Sequence, residues 1–338
     1  MTNKTPGTPE WLAQVVEEIV EPERPIVDPH HHLWERPGGR SYLLKDLWAD
    51  TGSGHRIVKT VFIECHASYR TEGPEHLRPI GETEFVAGIA AESAKGGKGR
   101  AEISAIVAHA DLTLGHQLEE VLQAHEEAGQ GLFKGIRHAG ASDKNKEVFF
   151  IPGRAPEHLY QREDFRQGLK VLARRGLTYD TWHYHHQNPA FAELARAVPE
   201  TRMILDHFGT PLGVGPYRDK REEIFAQWKK DIAEIAKCEN VFAKLGGLAM
   251  PDNGFGWHTR EIPPSSAEFI EAQKRYYMHT IECFGPKRCM FESNFPVDKF
   301  SLSYPVVWNA FKKLVADFSE DEKEALFRGT ATQVYRLG

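Results

Sequence analysis

Short apolar runs that alternate with longer amphipathic segments constrain the fold of this 338-residue chain most strongly. Eight runs have strand-like length and composition, at residues 26–32, 60–66, 103–110, 133–139, 177–183, 202–208, 241–248 and 289–296. Apolar residues at helical spacing lie between most of them, over 82–94, 117–128, 165–175, 190–197, 224–236 and 269–284. Eight β units that alternate with helices predict an α/β chain folded as a parallel (β/α)₈ barrel.

The domain organisation follows from the same pattern. We expect residues 1–25 to form an N-terminal extension that packs on the barrel, and residues 26–338 to form one barrel domain. A doubly wound sheet is the main alternative, but it usually carries a glycine-rich turn after its first strand. Here that turn reads His-His-His-Leu-Trp. The loop at 250–266, rich in Gly and Pro, is long enough to be a lid or specificity loop.

Composition restricts the partners and the compartment. A formal net charge of −6 without a Lys/Arg cluster argues against a nucleic-acid partner. The four cysteines form no C-x-x-C pair, which disfavours a disulfide framework and a thiolate zinc site and fits a reducing compartment. No signal-peptide pattern and no apolar run of about 18 residues occurs. We expect a cytoplasmic protein with a small-molecule substrate and no membrane partner; a homo-oligomer stays open.

The end of the first run, Asp28-Pro29-His30-His31-His32, is the strongest functional signal. Residues two apart on a strand share a face, so His30 and His32 can both point into the barrel mouth. They could chelate a divalent metal or flank a carbonyl group, or be hydrogen-bonded core histidines. His31 has the opposite parity and is expected to be structural.

Strands two and four add a carboxylate and a guanidinium. Glu64 within an apolar run needs a partner, and it could ligate a metal, act as a base or pair with Arg137. Arg137 could instead grip a substrate carboxylate in bidentate fashion. Arg70 and Arg78, in the loop after strand two, are further candidates for holding substrate charge.

The remaining strands end in polar residues too. Asp180 and Trp182 share a face on strand five and could line the pocket, whereas His183 and the histidines after it could equally be solvated loop groups. His207 is the best candidate for a functional residue on strand six. Lys244 on strand seven could point outward or inward. Strand eight presents Glu292 and Asn294 on one face, with Asp298 beyond it.

Together these motifs resemble the amidohydrolase superfamily, specifically the amidohydrolase-related branch that contains many lactonases. The resemblance spans roughly residues 26–336 and rests on D-x-H-x-H, Glu64, Gly-Ile-Arg137, Leu-Asp-His207, Lys244-Leu-Gly-Gly and Glu292-Ser-Asn-Phe-Pro. It implies a distorted TIM barrel that hydrolyses an ester or amide bond, with one divalent metal ion, zinc by preference, or none. By this resemblance, His30, His32 and His207 would hold the metal or polarise the carbonyl.

The chain departs from the family at Asn294, where an aspartate usually activates the attacking water. An amide cannot act as a general base, because its oxygen is scarcely basic. The carboxylates that could replace it are Glu292, Glu64, Asp180 and Asp298. No strand-four lysine of the kind that bridges two metals is evident, because Lys134 has uncertain parity, so a binuclear site is not expected.

The hypothesis from the sequence is therefore hydrolysis of a small cyclic ester, plausibly one with a carboxylate. Carbonyl polarisation and water attack would be the chemistry. One alternative is a metal-dependent, non-oxidative decarboxylase of an aromatic acid. A second is a small-molecule binding protein that kept the barrel but lost catalysis at Asn294.

Overall fold

The computed structural model describes residues 5–148 and 155–338, and its centre is one sheet of eight parallel strands. Neighbours along the chain are hydrogen-bonded neighbours in the sheet, in the order β1 to β8. The predicted (β/α)₈ barrel is confirmed. The strands are β1 (Pro25–His31), β2 (Arg56–Ile63), β3 (Glu102–Ala108), β4 (Phe133–Arg137), β5 (Thr178–Thr181), β6 (Met203–Leu205), β7 (Val241–Leu245) and β8 (Cys289–Phe291).

The barrel closes between β1 and the segment that follows β8. His31 pairs in parallel with Phe295, and the Phe295 carbonyl accepts a hydrogen bond of 2.8 Å from the His32 amide. The Asp28 carboxylate fixes the same seam, because it accepts from the Ser293 amide at 3.0 Å and from the Ser293 hydroxyl at 2.6 Å. Two register shifts in the β1–β2 pairing distort the ring near the histidine run.

Helices surround the strands, and all six predicted helical segments are present. The helices are α1 (Pro9–Leu12), α2 (Leu44–Thr51), α3 (Ile80–Ser93), α4 (Gln117–Gly129), α5 (Glu163–Arg174), α6 (Asn188–Ala197), α7 (Arg221–Ala236), α8 (Ser266–Phe284), α9 (Tyr304–Leu314), α10 (Glu320–Glu324) and α11 (Thr330–Tyr335). In the described residues, no helix is long and apolar enough to span a membrane. The helices α2 and α9–α11 lie outside the segments that periodicity identified.

Side-chain parity divides the core in the way a barrel requires. Inward-facing residues such as Val61, Val107 and Ile204 form one cluster with Val334 and Tyr335 of α11. This last helix therefore plugs the lower end of the barrel, away from the C-terminal ends of the strands. The opposite faces of the strands pack on the surrounding helices in a second, larger cluster.

Several strands end earlier than the apolar runs suggested. The predicted second strand reached residue 66, the sixth 208 and the eighth 296, whereas β2, β6 and β8 end at Ile63, Leu205 and Phe291. Residues soon after each end have left-handed backbone, namely His66 (φ 60°), His207 (φ 53°) and Asn294 (φ 55°). Such residues cannot continue a strand, so the polar side chains sit on the loops at the barrel mouth.

Candidate active site

A cavity of about 580 Å³ opens at the C-terminal ends of the strands. This is the position where barrel enzymes carry their catalytic groups. Its polar wall contains several residues that the sequence singled out: His32, Glu64, Arg137, His207 and Asn294, with His66 beside them. The apolar part of the wall is formed by Trp34, Trp182, Met250, Val297 and Phe300.

Three buried residues form what we call the inner triad: His30, His207 and Glu292. Only His207 of the three lines the cavity. His207 Nδ1 lies 2.6 Å from Glu292 Oε1, so Nε2 is the ring nitrogen of His207 that faces no other member of the triad. The other carboxylate oxygen, Oε2, lies 2.7 Å from His30 Nδ1. Glu292 therefore links an imidazole from the end of β1 to one from the end of β6.

Two cationic side chains lie next to His30 of the inner triad. Lys244 Nζ lies 3.2 Å from His30 Nδ1, and Arg137 Nη1 lies 3.4 Å from His30 Nε2. Lys244 is fully buried and forms ion pairs with Asp180 at 2.8 Å and Asp206 at 3.2 Å. The inward orientation that the sequence left undecided for Lys244 is thus the observed one, and Asp180 serves this ion pair below the cavity.

Burial shifts the titration of the inner triad. It raises the pKa of Glu292 to about 8, although the nearby Lys244 ammonium opposes the shift. It also raises the pKa of Asp206 and lowers that of His207 to about 3, so His207 is a neutral imidazole at neutral pH. Lys244 keeps its charge, because the surrounding carboxylates outweigh burial and raise its pKa.

Arg137 and Glu64 form a buried ion pair in the cavity wall, which is one of the alternatives open at the sequence level. Arg137 Nε lies 2.7 Å from Glu64 Oε1, and Arg137 Nη2 also donates to the Glu64 carbonyl. Burial alone would raise the pKa of Glu64, but Arg137 and two nearby imidazoles lower it to about 2. Glu64 is therefore a permanent carboxylate and a weak base.

A second group of donors lies at the rim, and we call it the outer triad: Glu64, His66 and His109. His66 follows β2 and has a side chain that is 54% exposed, whereas His109 follows β3 and is half-buried. Glu64 Oε2 lies 3.4 Å from His66 Nε2. Sequence reasoning did not single out His109, although the rule that polar residues mark strand ends applies to it.

Asn294 lines the cavity but is engaged with a carboxylate behind it. Its Nδ2 donates to Asp298 Oδ1 at 2.9 Å, and Asp298 Oδ2 accepts from the Ala249 amide at 3.3 Å. Asp298 is buried and is not part of the cavity wall. Of the four carboxylates that could replace the missing aspartate, only Glu64 lines the cavity directly, and Glu292 reaches it through His207.

The structure places other predicted residues elsewhere. Arg70 is exposed and paired with Glu84, and Arg78 is outside the cavity wall. His183 is buried, with its Nε2 2.9 Å from Asn188 Oδ1. The loop at 250–266 contributes only Met250 to the wall.

The structure also brings in two residues that were not predicted. Trp34 and Arg36 belong to a hairpin after β1, closed by pairing of Trp34 with Tyr42. Both line the cavity, and the Arg36 guanidinium lies 5.0 Å from the Trp34 ring. The Gly38-Gly39 pair after Trp34 indicates a turn in the sequence. It does not indicate that the hairpin contacts the mouth of the barrel.

Comparison with known proteins agrees with this architecture. The Amidohydrolase family model matches residues 27–337. The uncharacterized protein y4mH of Sinorhizobium fredii is 32% identical, with 92% of this chain and 98% of that protein covered. The L-fucono-1,5-lactonase of Burkholderia multivorans is 25% identical, with 92% and 96% covered. A solved amidohydrolase from Burkholderia multivorans with bound zinc superposes with a TM-score of 0.72 at 22% identity, over 93% of this chain and all of that one.

The barrel and the family match together define the class of protein. The chain belongs to the Amidohydrolase family and is a hydrolase of the amidohydrolase superfamily. Lactonases are among its relatives.

Proposed function

We propose that this protein opens a small cyclic ester, a lactone, by attack of a water molecule on the ring carbonyl. The observation that carries the proposal is the 2.6 Å contact between His207 and Glu292, whose imidazole partner lines a cavity that also presents Arg137. Supporting it, two relatives with 25% identity are named L-fucono-1,5-lactonases.

His207 is the water-activating base in this proposal. In this proposal ionised Glu292 accepts a hydrogen bond from Nδ1–H, which leaves a lone pair on Nε2, the orientation that an imidazole base needs. Burial raises the pKa of Glu292 to about 8, so the active form of the pair increases as the pH rises through about 8. As Nε2 takes its proton, the Nδ1 proton can move to Glu292, which makes the pair a stronger base than the buried imidazole alone, whose pKa is about 3. Nε2 takes a proton from water as the hydroxide adds to the carbonyl carbon. The same proton then passes to the ring oxygen as the carbon–oxygen bond breaks, and a hydroxy acid is released. The His207–Glu292 pair would take the role of the aspartate that is usual in the family at the position of Asn294.

Arg137 is the group that stabilises the developing oxyanion. Glu64 and His30 hold its guanidinium in place, so the donors are oriented before substrate binds. His32 binds the substrate in this proposal. Its Nδ1 lies 2.8 Å from the Ile63 carbonyl and must donate to it, so Nε2 is an acceptor and would bind a substrate hydroxyl.

The zinc of the Burkholderia amidohydrolase raises the question of whether the inner triad fits a metal. Two donors on one tetrahedral zinc lie roughly 3.3 Å apart. The two nitrogen–oxygen distances at Glu292 are 2.6 and 2.7 Å, well below that separation. An ion could satisfy Glu292 Oε2, which accepts no hydrogen bond from the described residues. However, each ring nitrogen of His30 already faces a fixed cation. As arranged, the inner triad does not fit a metal ion.

The test is a panel of sugar lactones and carboxylated lactones, followed by acid release with a pH indicator. We expect at least one lactone to be opened by the wild-type protein and not by His207→Gln. Release of CO₂ from a hydroxybenzoate, with no lactone opened, would favour the decarboxylase. Thermal stabilisation by these compounds without turnover of any would favour a binding protein.

A further inference from the structure

The outer triad is the second cluster of metal-ligating side chains in the described part of the chain, and the proposed hydrolysis does not use its imidazoles. Its three donor atoms lie within 4.8 Å of one another. We propose that Glu64, His66 and His109 bind one divalent transition-metal ion, zinc by preference, at the rim of the cavity. Two imidazoles and one carboxylate are a donor set that suits zinc and related first-row ions.

The spacing of the outer triad is that of metal ligands. Glu64 Oε2 and His66 Nε2 are 3.4 Å apart, close to the roughly 3.3 Å between two donors on one tetrahedral zinc. Glu64 Oε2 is buried and takes part in no hydrogen bond with the described residues. A buried carboxylate oxygen without a hydrogen bond is costly, and an ion held between it and the two imidazoles would remove that cost.

The groups behind the donors orient them. His109 Nδ1 lies 3.1 Å from the Arg137 carbonyl and donates to it, so the lone pair is on Nε2. Metal-binding histidines usually have this backing from a carbonyl or carboxylate. Arg137 Nε occupies only Oε1 of Glu64, which leaves Oε2 available.

Tyr69 lies beside the two histidines of the outer triad. The Tyr69 ring lies 5.3 Å from the His66 ring and stacks on that of His109 at 6.5 Å. Its buried hydroxyl has no hydrogen-bond partner among the described residues, and a water molecule on the ion could supply one. Because His66 and Glu64 line the cavity, an ion here would keep an open position toward substrate.

The experiment measures metal content and affinity, without reference to lactone hydrolysis. The full-length protein is stripped with a chelator, titrated with Zn²⁺ against a chromophoric chelator, and analysed for bound zinc. We expect one tightly bound ion in the wild type. His66→Ala and His109→Ala should each weaken binding by about a hundredfold or more, because they remove a ligand.

Two controls make the result decisive. His76→Ala removes an imidazole outside the cavity wall, paired with Glu120 at 3.2 Å, and should bind zinc as the wild type does. His207→Gln alters only the inner triad and should also retain the ion. Zinc lost in His207→Gln and kept in His66→Ala would overturn the proposal in favour of the inner triad. A wild type without tight binding would also overturn it. Since His66 is exposed, its variant should fold, and thermal unfolding checks this for all four.

Discussion

The inner and outer triads contain the same residue types, two histidines and one glutamate, in opposite physical settings. In the inner triad all three side chains are buried, and nitrogen and oxygen atoms approach to 2.6 and 2.7 Å. In the outer triad the Glu64–His66 separation is 3.4 Å and His66 is exposed. Residue type alone therefore does not distinguish a proton-transfer pair from a metal site. Spacing and neighbouring charges do.

The charged neighbours sharpen the contrast. The inner triad is flanked by Lys244 and Arg137, whose cations partly oppose the rise in the pKa of Glu292 that burial causes, and compete with any metal at His30. In the outer triad the same Arg137 neutralises one oxygen of Glu64 and leaves the other free. Arg137 thus belongs to both clusters. The following changes test this division of roles.

The largest expected effect is that of His207→Gln on turnover. Glutamine keeps much of the side-chain volume but cannot take a proton, so kcat should fall about a thousandfold, within the range for loss of a general base. Steady-state kinetics on an opened lactone, with chelator present, would measure this. His76→Ala is the control, because His76 lies outside the cavity wall, and it should retain its activity under the same conditions. If His207→Gln kept a tenth of the wild-type rate, His207 would not be the base.

Arg137→Lys should give the next largest effect, on stability. A lysine cannot hold Glu64 and His30 together, so a buried carboxylate loses most of its pairing, at a cost of about 3 kcal/mol in the free energy of unfolding. Urea unfolding would measure the change. Arg70→Lys, at an exposed pair with Glu84, should have a much smaller effect. Equal losses in the two variants would show that Arg137 does not organise the site.

A feature of the fold or the site could be predicted from the sequence when it depends on residues that are close together in the chain. Strand alternation correctly indicated the barrel, because it follows from residues adjacent in the chain. The Glu64–Arg137 contact was one of two alternatives, since a lone carboxylate in an apolar run needs a partner. The sequence could not decide between the alternatives, because the Glu64–Arg137 ion pair forms only where the ends of β2 and β4 come close in space.

Features set by distant segments were not predictable in this way. The inward position of Lys244 depends on Asp180 and Asp206, which come from two other strands. The acceptor role of His32 Nε2 follows from the Ile63 carbonyl, on the neighbouring strand. Trp34 reaches the cavity only because its hairpin folds over the mouth.

The smallest expected effect is that of Asn294→Asp, which restores the carboxylate usual in the family. If His207 and Glu292 already supply the base, the new carboxylate adds no function, and kcat should change by less than about threefold on the scale of general-base effects. The change would also replace the amide that donates to Asp298 at 2.9 Å, so stability should fall by about 1 kcal/mol. Asn294→Ala is the control, because it loses the same donor without adding a charge. Kinetics and urea unfolding of both variants separate the two effects. A rise in kcat of tenfold or more in Asn294→Asp alone would show that the native chain lacks a working base.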